Sequence, residues 1–62
     1  MQLLPRIERY LRRTGTTPTR FGRAAAHDPR FVFDVRNGRC PRAPTHARVA
    51  AFLDRAEREP TR

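Results

Sequence analysis

The chain has 62 residues, close to the lower size at which a domain folds unaided. It is therefore one domain with a small core and no room for a walled catalytic cleft. Its 14 basic side chains, every one an arginine, face 6 acidic ones and leave a net charge of +8, which favours a polyanion as partner. A single cysteine, Cys40, excludes an internal disulfide, and no run of about 18 apolar residues is present to span a membrane.

Met1 to Leu4 runs straight into charge and is too short for a secretory h-region, so a cytoplasmic location is expected. A GC-rich coding sequence would also prefer arginine over lysine. The sign of the charge therefore carries the inference, and the choice of residue does not.

Residues 3–14 predict a first amphipathic helix. Leu3 or Leu4, Ile7 and Leu11 recur at helical spacing with Tyr10 at the stripe's edge, and Gly15 is a suitable stop. Arg6, Arg9 and Arg13 lie on the far side, either as a solvated face or toward phosphates.

The stretch from Thr17 to Arg39 predicts two short helices joined by a tight turn. Thr17 is an N-cap and Pro18, which has no N–H to leave unpaired, takes the first helical position. Phe21 and Ala25 share one face, and Gly22 beside them marks a close approach by another backbone, since mid-helix glycine otherwise costs about 1 kcal/mol. The helix should end near Ala26 and His27. Asp28-Pro29 repeats the start signal, Val32 and Val35 then face inward with Phe31 beside them, and Asn37-Gly38 supplies left-handed residues to end the second helix.

On a wheel of that second helix Pro29, Arg30, Phe33 and Asp34 point away from the valines. Such a face suits a DNA major groove: arginine can bridge guanine O6 and N7, aspartate can accept from cytosine N4, and a phenyl ring can touch thymine methyls. The other reading packs Phe33 under a loop or across a dimer and pairs Arg30 with Asp34 at i,i+4. Thr17, Thr19, Arg20 and Arg23 on the first helix of the pair are candidate phosphate contacts. So are Arg36, Asn37, Arg39 and Arg42 at and after the end of the second.

Residues 37–44 form a loop in which Cys40 is a small side chain. With His27 and His46 scattered elsewhere, no metal-ligand spacing is present. Residues 45–58 predict the last helix, with Thr45 as N-cap and Val49, Phe52, Leu53 and Ala56 inward. Glu57 and Glu59 oppose the helix dipole, so fraying is expected there, with residues 59–62 as a disordered tail. Ala47 and Ala51 make an outer strip that serves helix formation or a dimer contact. Glu8, Asp54 and Glu57 read as surface charges.

From Pro18 to Val35 the chain resembles the helix-turn-helix of lambda-repressor/Cro-like (XRE-type) domains. Phe21, Gly22, Ala25, Val32 and Val35 carry the resemblance, together with the Asn37-Gly38-Arg39 ending and a helix on either side of the pair. Ala26 stands where that family carries its turn glycine, and His27 where it carries an apolar residue. The resemblance implies an all-α domain of four to five helices over residues 1–58. It also implies sequence-specific binding of double-stranded DNA by a minimal bacterial or phage transcription regulator, most simply a repressor. A homodimer would read half-sites about 34 Å apart.

Two other classes stay open. One is a basic helical adaptor that binds a protein partner, and the other a non-specific DNA- or RNA-binding protein, for which aromatic stacking platforms are lacking. An enzyme is not expected: no phosphate-cradling glycine loop, nucleophile–base set or carboxylate pair in a cleft can be read. Neither a cofactor nor a small-molecule ligand is expected.

Overall fold

The computed structural model describes residues 3–58, and over them the chain is all-helical, with four helices. They are α1 (Leu4–Thr14), α2 (Pro18–Ala26), α3 (Phe31–Arg36) and α4 (Ala43–Arg58). Residues 59–62, where a disordered tail is expected, lie outside the described part. No helix among the described residues is long and apolar enough to cross a membrane.

Local chemistry sets most of the boundaries. α1 stops at Gly15, which is left-handed (φ 72°) and donates its N–H to the Leu11 carbonyl. The Thr17 hydroxyl accepts from the Arg20 N–H at 3.2 Å, and α2 then starts on Pro18 as its spacing predicts.

α3 departs from expectation. Asp28 Oδ1 accepts from the Arg30 N–H at 3.0 Å, and the Asp28 carbonyl accepts from Phe31 N–H at 3.1 Å. These bonds close a turn in place of a helix start, so Pro29 and Arg30 precede the helix instead of opening it. α3 ends in a Schellman pair, Arg39 N–H to Asp34 O and Gly38 N–H to Val35 O, each 3.0 Å. Gly38 alone takes positive φ (94°), whereas Asn37 stays right-handed at −84°. α4 begins at Ala43, so Thr45 lies inside its first turn and is not the N-cap. The Arg42 carbonyl accepts from His46 N–H there, and Pro44 falls where no N–H is needed.

The core is built from all four helices. Ile7, Phe21, Val32, Val49 and Leu53 are its largest fully buried side chains. Tyr10, Phe21 and Phe52 form an aromatic triad that ties α1, α2 and α4, with ring centroids 5.4–5.8 Å apart and edge-on or tilted. Phe31 is buried and joins the core, while Val35 and Phe52, expected inside, are only half-buried.

Gly22 positions α3. A Cβ built on it would run into the carbonyl oxygen of Asp28 and crowd the Pro29 backbone. Its own carbonyl accepts from the N–H groups of both His27 and Asp28. The left-handed turn residue is His27 (φ 58°, ψ 29°), while Ala26 stays helical and buried.

Two ion-pair sets lash α1 to its neighbours. Arg6 Nη2 bonds Asp54 (2.8 Å) and Glu57 (3.1 Å) of α4, and Arg36 grips Glu8 through both carboxylate oxygens at 2.8 and 2.9 Å. Arg6, Glu8, Asp54 and Glu57 are thus structural ties, and Glu57 at the dipole's unfavourable end is held by a cation.

Three outcomes follow for folding. Gly22→Ala should destabilise by about 1–3 kcal/mol on thermal unfolding, because the clash outweighs alanine's helix preference of about 1 kcal/mol. His27→Gly should stabilise by about 0.5 kcal/mol: relief of left-handed strain exceeds the added unfolded-state entropy. The Arg36 hydrogen bond is the main cause that holds the Glu8 carboxyl below its ordinary value. A depressed carboxylate stabilises above its unfolded pKa, near 4.5, and loses that contribution as pH falls through the folded value. Glu8→Gln should therefore be less stable than the parent at pH 7, with the gap closing on titration below about pH 4.5.

Candidate nucleic-acid interface

The outward side of α3 starts from which way its three consecutive apolar residues turn. Phe31 and Val32 go into the core, and Phe33 is left 43% exposed, the one large apolar side chain so exposed among the described residues. Arg30, Phe33, Asp34 and Asn37 fall within about a quarter-turn of one another at 100° per residue. Of the outward set read from the sequence, Pro29, Arg30 and Phe33 are exposed and Asp34 is half-buried; α3 is six residues long, and Pro29 and Arg30 are supplied by the preceding turn.

The electrostatics divide this set. Arg30 is exposed and forms no ion pair among the described residues, so its guanidinium fork is free. The Arg30–Asp34 pair of the other reading is not among the ion pairs of the described residues. Asp34 is half-buried and faces Arg39 Nη1 at 3.7 Å, a loose contact across the end of α3. Its backbone carbonyl takes the Asn37 and Arg39 N–H groups. Arg36 is engaged by Glu8, which raises the arginine's pKa through that hydrogen bond, and its guanidinium carbon sits 6.0 Å from the Phe33 ring centroid. Arg36 is thus a brace beside the ring, not a free phosphate donor as the sequence suggests.

Thr19, Arg20 and Arg23 are exposed, and neither arginine has an ion-pair partner among the described residues. Thr17 accepts from the Arg20 N–H, which leaves its own hydroxyl hydrogen available to a further acceptor. Arg39 and Arg42 lie exposed on the segment after α3 with Asn37, and Arg42 is unpaired in the same sense. Cys40 is an exposed free thiol. No group of three or more His, Cys, Asp or Glu that could hold a metal occurs among the described residues.

The wider charge pattern was only half legible. Every described carboxylate is engaged within the fold: Glu8 by Arg36, Asp54 and Glu57 by Arg6, Asp34 by Arg39, and Asp28 by the Arg30 backbone. The cationic surplus therefore lies on the surface unneutralised. The Glu8–Arg36 pair and the Arg6 pairs with Asp54 and Glu57 span 28 to 51 residues of sequence and leave no local signal.

No family model matches the chain, and neither a curated protein nor a solved structure matches it.

Proposed function

We propose that the chain is a sequence-specific double-stranded DNA-binding protein, a minimal transcription regulator that uses α2, the 27–30 turn and α3 as a helix-turn-helix. The observation that carries this reading is the outward face of α3, where an exposed phenyl ring stands beside the unpaired Arg30 on a surface of uncompensated arginines.

In this reading α2 lies across the phosphates. The Thr17 hydroxyl, Thr19, Arg20 and Arg23 hold the strand and fix register without reading sequence. α3 enters the major groove, where Arg30 bridges a guanine and Phe33 meets a thymine methyl, with Asp34 as acceptor for a cytosine amine. Arg36, pinned by Glu8, holds the ring in place. With no effector domain among the described residues, regulation would act by occupancy of the site, as in a repressor. A homodimer would space two half-sites by about 34 Å. The lambda-repressor/Cro-like likeness of the Pro18–Val35 spacing supports the same reading.

A second reading is a sequence-independent backbone binder. It is favoured by the length of α3, which at six residues gives a groove-facing ridge of about 9 Å and few base-reading side chains.

Selection of a randomised duplex pool on the purified protein, at near-physiological salt, separates the two. A specific reader enriches a short motif, and Arg30→Ala then relaxes preference at one position and costs about 1–3 kcal/mol of affinity for the selected site. Retention without enrichment selects the backbone binder, and no retention refutes both. For either binder the affinity should fall with salt at a log–log slope near −0.9 per phosphate neutralised, and Arg20→Ala should reduce that slope by about one unit.

A further inference from the structure

The flank of α2 turned away from α3 meets α4 along a groove whose lining holds none of the residues proposed to read bases. We infer that the groove between α2 and α4 is a docking seam for an acidic amphipathic helix of a protein partner. Ala24, Ala51 and the half-buried Phe52 make its floor, and His27, Arg48 and Arg55 make its rims.

Wheel geometry separates this groove from the α2–α3 contact. Gly22 faces the Asp28–Pro29 backbone, and Ala24 lies about 160° away around α2. Arg20, assigned above to phosphate, lies about 40° from Ala24 around α2 and borders the groove.

Charge is segregated across α4. Asp54 and Glu57 lie on the flank that meets Arg6 of α1. Arg48 and Arg55 lie on the other flank, and no carboxylate lines the groove among the described residues. The two arginines are one heptad apart, so their stems rise from a single stripe at about 10.5 Å spacing. Ala51 and Phe52 fall between them, Ala51 exposed and Phe52 half-buried with one side on the aromatic triad.

Charge complementarity selects the occupant. A partner helix with carboxylates one heptad apart and small apolar residues between them satisfies rims and floor together. A second copy of this groove is no match for the first, because it would bring arginine rims and no carboxylate to meet them. Nucleic acid would meet the rims but gain nothing from the alanine and phenyl floor.

The test is fluorescence anisotropy with the full chain and a labelled two-heptad peptide whose glutamates, at heptad spacing, flank an Ala/Leu seam. The control is a scrambled peptide of the same composition. The designed peptide should bind about tenfold more tightly than the scramble. Arg48→Glu with Arg55→Glu should weaken it by about tenfold or more, whereas Arg9→Glu with Arg13→Glu, an equal change in net charge on α1, should leave it within about twofold.

Arg48→Gln with Arg55→Gln, checked for parental helicity by circular dichroism, should also lose the peptide, which separates lost docking from lost folding. Equal losses in both reversal variants, or equal binding of the scramble, would overturn the inference. So would peptide binding that survives the Arg48/Arg55 changes while affinity for a short duplex is lost, which would assign the rims to nucleic acid. The inference stands apart from the proposed DNA binding, on which the duplex arm reports separately.

Discussion

The backbone-to-backbone contact at Gly22 is the constraint from which the rest of the arrangement follows. Because no Cβ intervenes, the Asp28 carbonyl sits directly against α2, and the chain must turn within four residues to reach it. That turn needs one left-handed residue, which His27 supplies, and an Asx bond from Asp28 that delays α3 to Phe31. The delay sets the rotation of α3. Phe31 and Val32 enter the core and Phe33 is turned out, so the most unusual surface residue of the protein depends on a glycine eleven positions earlier.

A second constraint is electrostatic. A chain this rich in arginine must fold against its own repulsion, and it does so by placing its few carboxylates where they join helices. Arg6 closes α1 on α4, and Arg36 closes α3 on α1. Exposed pairs of this kind contribute modestly to stability, and their larger effect is on the charge that remains. With the acids used internally, the outer surface is cationic, and α4 is polarised with its carboxylates toward α1 and its free arginines toward α2. Association with anionic partners at such a surface is screened over about 8 Å at physiological ionic strength, so contact geometry must supply any discrimination.

The aromatic triad complements both constraints. Tyr10, Phe21 and Phe52 come from three helices and meet edge to face, so they fix how α2 lies between its neighbours without a buried polar group. With so small a core, α3, the shortest helix, is held chiefly by α2 and the Glu8 brace.

What the sequence alone determined is local. The Thr17-Pro18 start, the Gly15 stop, the close approach at Gly22 and the Gly38 ending all follow from backbone conformations and periodicities that a few neighbouring residues dictate. The tertiary structure decided whatever two separately reasonable local choices left open. Asp28 could cap a helix or close a turn, and packing against Gly22 chose the turn. Either Ala26 or His27 could take the left-handed position, and burial of the Ala26 methyl left it to His27. Glu8 reads as a surface charge, Arg6 as part of an outer face and Arg36 as a phosphate contact, because their partners lie 28 to 51 positions away and only folding brings them within reach.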